Sequence, residues 1–144
     1  MNILMITMMI FACFEVLNVI ILYGWPGSKK GNGLGMFTAW ELSKKDESVH
    51  ALIRYLVFWV AGTKLIFIGL LIVIILLGDE MVQLASVVVL LLTISTFFWR
   101  LYPMIRAMDR KDLIQPKGYS KILGTMIALF LLMFLIAIMI TIFV

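Results

Sequence analysis

YLVFWVAGTKLIFIGLLIVIILL-GDE-MVQLASVVVLLLTISTFFWRL, Tyr55–Leu101, holds two apolar runs separated by only Gly78, Asp79 and Glu80. Each run has roughly the 20 residues that cross about 30 Å of hydrocarbon as a helix at 1.5 Å per residue. Three residues leave room only for a tight reversal, so the two runs are expected side by side and oppositely directed. β-Barrel strands would be about 10 residues long with alternating polarity, which these runs are not. Working outward, Ile3–Tyr23 and Ile122–Val144 are runs of the same kind. The expectation is an all-α integral membrane protein. Its four transmembrane helices (about 3–23, 55–77, 81–101 and 122–144) form an antiparallel bundle, one domain over 1–144.

Composition supports this. The chain is 64% hydrophobic, against about 45–50% for a soluble domain. The first run lacks a basic leading segment and is interrupted by Glu15 and Asn18, so it reads as a permanent span rather than a signal peptide. Cys13 is the single cysteine, which excludes an intrachain disulfide, a thiol redox pair and a cysteine zinc site. It is expected to pack as a small apolar residue. No cofactor or metal is indicated.

Charge sets the expected orientation. Of the 12 Lys and Arg residues, Lys29, Lys30, Lys44, Lys45 and Arg54 lie between or beside the first two runs. Arg100, Arg106, Arg110, Lys111, Lys117 and Lys121 lie between or beside the last two, and Lys64 lies within the second run. The positive-inside rule then puts both long loops in the cytoplasm and both termini, with the acidic hairpin, outside. The Trp and Tyr residues gather at the same ends of the runs, where amphipathic rings favour headgroups. A bacterial-type plasma membrane is the expected location, with anionic headgroups on the cytoplasmic side as partners of the basic loops. Nothing calls for nucleic acid.

Two charges fall inside spans. Glu15 is about 12 Å above the loop end of the first span, and Lys64 about 13–14 Å above that of the second, so they could lie level. A charge at that depth faces other helices, finds a partner or lines a transport path. Glu15, Lys64 and Asn18 are therefore a candidate polar cluster. It would serve either as a register-fixing ion pair or as a proton- or ion-coupled carboxylate, and snorkelling of Lys64 to the interface is the third option. Gln83, Ser86, Thr93, Thr96 and Arg100 form a weaker polar stripe on the third span, whose hydroxyls read as packing groups, with a solute path as the alternative. Gly62 and Gly69, and Gly124 with Ala128, suggest close helix contacts.

The loops are expected to carry short interfacial helices. Gly24–Gly35 reads as an irregular, mobile turn; its glycines beside Lys29 and Lys30 do not match phosphate-loop spacing. Met36, Phe37 and Trp40 sit at helical spacing, and Ser43 or Ser48 is placed to cap the helix that enters span two. His50 reads as an interfacial residue, with pH sensing as the alternative. Pro103 should end or kink span three. Met104–Ile114 then reads as a surface helix on which Asp109 and Asp112 neutralise Arg106, Arg110 and Lys111.

The run Cys13-Phe14-Glu15-Val16 resembles the first span of the small multidrug resistance transporters, four-helix proteins with a membrane glutamate there. The likeness covers a handful of residues. The chain departs from that family by its long first loop, Lys64 and the helix in its second loop, and it is not assigned to it. The disulfide-forming and quinone-reducing four-helix enzymes would need cysteines that are absent. Two roles follow. One is a non-catalytic accessory or assembly subunit that binds another membrane protein by helix packing and presents basic loops. The alternative is a homo-oligomeric ion- or proton-coupled transporter or channel using Glu15 and Lys64. An intramembrane enzyme stays open as a third option, but no nucleophile–base pair can be placed by spacing.

Overall fold

The structure, a computed structural model, describes residues 2–143; Met1 and Val144, the outer limits of the expected domain, lie outside the described residues. The helices are α1 (Ile3–Gly24), α2 (Thr38–Ser43), α3 (Glu47–Leu77), α4 (Glu80–Ser95), α5 (Leu101–Arg110) and α6 (Tyr119–Phe143). Four stretches are long and apolar enough to cross a bilayer: α1, α3, α6 and the 31 residues from Glu80 to Arg110 that include α4 and α5.

Each long helix starts where a side chain satisfies its orphan N–H groups. Asn2 accepts from the Met5 N–H in α1 at 2.9 Å, and Asp79 from the Val82 N–H in α4 at 2.8 Å. For α3 the cap is Asp46, which accepts from the Ser48 and Val49 N–H groups and the Ser48 hydroxyl at 3.0, 3.2 and 2.7 Å. The expected caps Ser43 and Ser48 are therefore corrected: all three donors converge on Oδ1 of a charged carboxylate, a stronger acceptor than a neutral hydroxyl.

Span three also breaks a turn earlier than expected. A tight turn at Thr96–Phe98 and an Arg100 φ of −118° separate α4 from α5. Pro103 does not end a helix; it is the third residue of α5, where its missing N–H costs nothing. Its ring would collide with the Trp99 carbonyl of a continuous helix, so the disruption falls before it. The surface helix thus covers Leu101–Arg110 rather than Met104–Ile114. It closes in a Schellman arrangement, with Asp112 at a φ of 56° and the Leu113 N–H bonded to the Met108 carbonyl at 3.0 Å. A short acidic side chain tolerates that left-handed position.

α1 is the hub: it packs along α3 and also meets α6 and α4, while α4 packs on α6 and α3 only grazes α4. Side chains of all four spans share one core, built from Leu4, Met8 and Phe11 with Leu71, Val87 and Phe134 among others. Phe11 meets Phe67, Phe130 and Phe134 edge-on, at 6.1, 5.3 and 5.4 Å between centroids, the geometry that aromatic quadrupoles favour. This core occupies the half of the bundle nearest the Gly78–Glu80 hairpin. Towards the loops, burial divides in two. Leu22, Val57 and Ala61 close α1 on α3, whereas Met36, Ile105, Ile114, Tyr119 and Leu123 form a separate core under the loops.

The loops are joined rather than independent. Phe37 pairs with Ile114 in an antiparallel bridge. The Gln115 N–H bonds the Met36 carbonyl at 2.8 Å, and the Thr38 N–H bonds the Leu113 carbonyl at 3.0 Å. The Tyr119 hydroxyl donates to Asn32 at 3.0 Å. The Gly24–Gly35 stretch is itself folded, with the Gly35 N–H on the Ser28 carbonyl at 3.0 Å. A Cβ at Gly35 would overlap the Gly27 carbonyl oxygen, so close backbone approach explains that glycine. Gly124 is explained likewise, since a Cβ there would lie 2.6 Å from the Tyr102 ring. Gly69 has open space around it and Ala128 is exposed, so neither makes the helix contact expected of it.

Candidate functional site

Burial on α1 recurs at Leu4, Met8, Phe11, Val19 and Leu22, and on α3 at Val57, Ala61, Ile68, Leu71 and Ile75. Both series step by three and four residues, or by sums of these steps, so each helix presents one stripe to its neighbours. Glu15 and Lys64 occupy the steps where these series lack an apolar residue. The structure brings them together: the Lys64 ammonium donates to Oε2 of Glu15 in a direct ion pair. The matching depths made this contact possible, and the length of the lysine side chain closes the remaining distance.

The pair is only partly enclosed. The side chain of Glu15 keeps 14% of its surface exposed and that of Lys64 30%. Among the described residues Glu15 has no other side-chain partner, and its second oxygen is uncommitted. Asn18 is half-buried one turn away but makes no side-chain hydrogen bond to either member. The three-residue cluster is thus a two-residue pair. A turn away, the groove between α1 and α3, of about 540 Å³, is apolar, includes neither Glu15 nor Lys64 in its lining, and runs past Cys13. Cys13 is exposed on that outer face instead of packing in the core.

The stripe expected on span three does not act as one surface. Gln83 is 3% exposed and ties the hairpin end together. It accepts from the Asn2 amide at 2.9 Å and donates to the Gly78 carbonyl at 2.9 Å. Ser86, Thr93 and Thr96 turn their hydroxyls back onto the carbonyls of Val82, Val89 and Thr93 at 2.7, 2.7 and 2.6 Å. That satisfies them within their own helix, as small hydroxyl residues in apolar surroundings require. Arg100 sits over the Trp99 ring at 5.1 Å.

Of the expected basic loop residues, Lys29, Lys30, Lys44, Lys45, Arg106, Arg110 and Lys111 are all exposed. Lys44 pairs with Glu41 at 2.8 Å. The acidic pair on α5 behaves differently from expectation. Asp109 is buried and accepts from the Gly118 N–H at 2.9 Å, the Ser120 N–H at 3.0 Å and the Ser120 hydroxyl at 2.6 Å. It caps α6 from a different helix and pairs with none of the neighbouring arginines. Asp112 pairs with Lys117 at 2.9 Å, and this bond holds the Lys117 ammonium pKa above the ordinary lysine value. At the start of α3 the Ser48 hydroxyl, with the Val49 N–H, holds the Asp46 carboxyl below its ordinary range.

Sequence reading did not single out two further partnerships. His50 is bonded through Nδ1 to the Ser43 hydroxyl at 2.8 Å and lies against the Trp40 ring at 4.8 Å, a folded position rather than a free interfacial one. The Asp109–Ser120 contact spans eleven residues and a turn, so no local spacing rule signals it. Comparisons with protein-family models, curated proteins and solved structures give no match to this chain.

Proposed function

We propose that this protein is a non-catalytic accessory or assembly subunit of a membrane complex. It sits as an antiparallel four-span bundle in a plasma membrane, with both termini outside and both basic loops cytoplasmic, where they meet anionic headgroups. The observation that carries the reading is the partly uncovered Glu15–Lys64 pair on the α1–α3 seam. Hydrocarbon offers nothing to the free carboxylate oxygen or the remaining ammonium protons, so a charge pair at this depth gains from protein cover. A helix of another membrane protein laid along α1 and α3 supplies that cover. The large apolar groove a turn from the pair fits such a contact.

The sparse polar interior supports this role over transport. The groove between α3 and α4, of about 400 Å³, has Ser86 as its one hydroxyl, and that hydroxyl is already bonded to Val82. The second reading, a homo-oligomeric ion- or proton-coupled transporter, draws on the same pair, with copies of this chain giving the cover. Purification in mild detergent followed by intact mass measurement separates the two. The subunit reading expects a stoichiometric foreign membrane chain. A lone homo-oligomer, with a proton-coupled flux in proteoliposomes that Glu15→Gln abolishes, overturns it in favour of transport.

A further inference from the structure

Where α5 turns into α6, the loop end has a concavity of about 350 Å³ whose rim carries Arg106, Arg110, Lys117 and Lys121. Arg106 and Arg110 are one helical turn apart on α5; Lys117 lies in the turn that precedes α6, and Lys121 in the first turn of α6. Like charges at that spacing repel, so the cluster is held together against its own field. Little inside the chain offsets it. Lys117 has Asp112, while Arg106, Arg110 and Lys121 have no ion-pair partner among the described residues.

One carboxylate lines the same concavity, and it is committed elsewhere. Both oxygens of Asp109 are taken by Gly118 and Ser120. Asp109 therefore fills the anion position at the start of α6 and, with Lys117 taken by Asp112, leaves Arg106, Arg110 and Lys121 for a second anion. Arginine forks suit phosphate oxygens bidentately, and lysines add point charge. The height is also right. The apolar run of α6 begins at Ile122, which is 64% exposed, so the basic rim lies at the first turn outside the hydrocarbon, where headgroups sit.

We propose that this pocket binds the phosphodiester of an anionic phospholipid, with Arg106, Arg110 and Lys121 as its ligands and the acyl chains lying along α6. This deepens the headgroup contact proposed above from a diffuse attraction to one built site, and it does not depend on the subunit role.

The test is lipid retention by native mass spectrometry. The full-length protein is taken from nanodiscs of phosphatidylglycerol mixed with phosphatidylcholine of the same chains. Wild type is compared with Arg106→Gln/Arg110→Gln/Lys121→Gln. A charge-matched control, Lys29→Gln/Lys30→Gln/Lys45→Gln, removes three exposed cations away from the pocket. All changes leave the Asp109 cap intact, and equal helix content by circular dichroism checks folding. The expected result is a discrete phosphatidylglycerol adduct on wild type and control, weakened roughly tenfold or more in the pocket variant. Equal loss in the control would reduce the site to general surface charge and overturn the pocket while sparing the diffuse headgroup contact. Equal retention of phosphatidylcholine by wild type would also overturn it. Displacement of the lipid by millimolar glycerol 3-phosphate would assign the pocket to a soluble phosphate ester instead. Should the pocket variant lose helix content, wild type alone decides: rising ionic strength should strip phosphatidylglycerol and spare phosphatidylcholine, and parallel behaviour of the two overturns the site.

Discussion

Asp109 and Glu15 are carboxylates on inward-facing helix positions of the same chain, and the fold treats them oppositely. Asp109 receives three donors, all from the turn and first residues of α6. Its charge is spread over hydrogen bonds that exist only if α5 and α6 are docked, so it is an architectural residue. Glu15 receives one donor, the ammonium of Lys64, and keeps part of its surface open at the seam. The difference separates polarity that closes a fold from polarity that leaves something to be bound. A satisfied buried group has no capacity left for a partner, whereas a half-satisfied one gains when another surface covers it.

Breaking the pair should have the largest effect. Lys64→Met leaves a lone carboxylate in the bundle and is expected to destabilise by about 3 kcal/mol. Adding Glu15→Gln should recover most of that loss, because the uncompensated charge is the costly state. Unfolding equilibria of the single and double variants in bicelles check this. Additive losses in the cycle would mean that the two residues do not act as a pair.

Asp109→Ala comes next, at about 1–3 kcal/mol, from three donors losing one acceptor group. Asp109→Asn should cost less, since one oxygen remains. Here no change of a neighbouring charge should rescue stability. Rescue by Arg106→Gln or Arg110→Gln would show Asp109 to be a counter-ion instead of a cap. Thermal unfolding in detergent reads both outcomes.

Gln83→Leu sharpens the comparison at the other end of the bundle. It removes the tie between Asn2 and the Gly78 carbonyl and should cost about 1 kcal/mol. Faster amide exchange at the start of α1 and at the hairpin, with the loop end unchanged, is the expected signature. The smallest effect is one of pH. The Asp46 carboxyl is held below its ordinary value in the folded chain. Its capping is therefore complete above the ordinary carboxylate pKa and is lost as pH falls through the lowered one. The Ser48 and Val49 amides should lose exchange protection, relative to other α3 amides, only on that acid side. In Asp46→Asn the same amides should show no such acid step.

The spans were legible because hydropathy and length report directly on a helix in hydrocarbon. The Glu15–Lys64 contact was legible too, since depth along two neighbouring helices follows from counting residues at 1.5 Å each. Asn18 shows where counting fails: depth places it beside the pair, but rotation about the helix axis and side-chain reach decide whether it bonds. Asp109 shows a different limit. Set among Arg106, Arg110 and Lys111, it reads as a neutralised surface charge. What buries it is the return of the chain through Gly118 to Ser120, a tertiary event without a sequence period. The joined loops were hidden for the same reason: the single bridge between Phe37 and Ile114 is far too short to leave a strand pattern.

The most direct measurement is the intact mass of the complex from its native membrane, wild type beside the Glu15→Gln/Lys64→Met double variant. The subunit role expects wild type to carry a stoichiometric foreign membrane chain and the double variant, folded and neutral at the seam, to lose it. A wild-type protein present alone or only with copies of itself, or a foreign chain kept equally by both forms, would contradict the claim that the pair on α1 and α3 is where a partner docks.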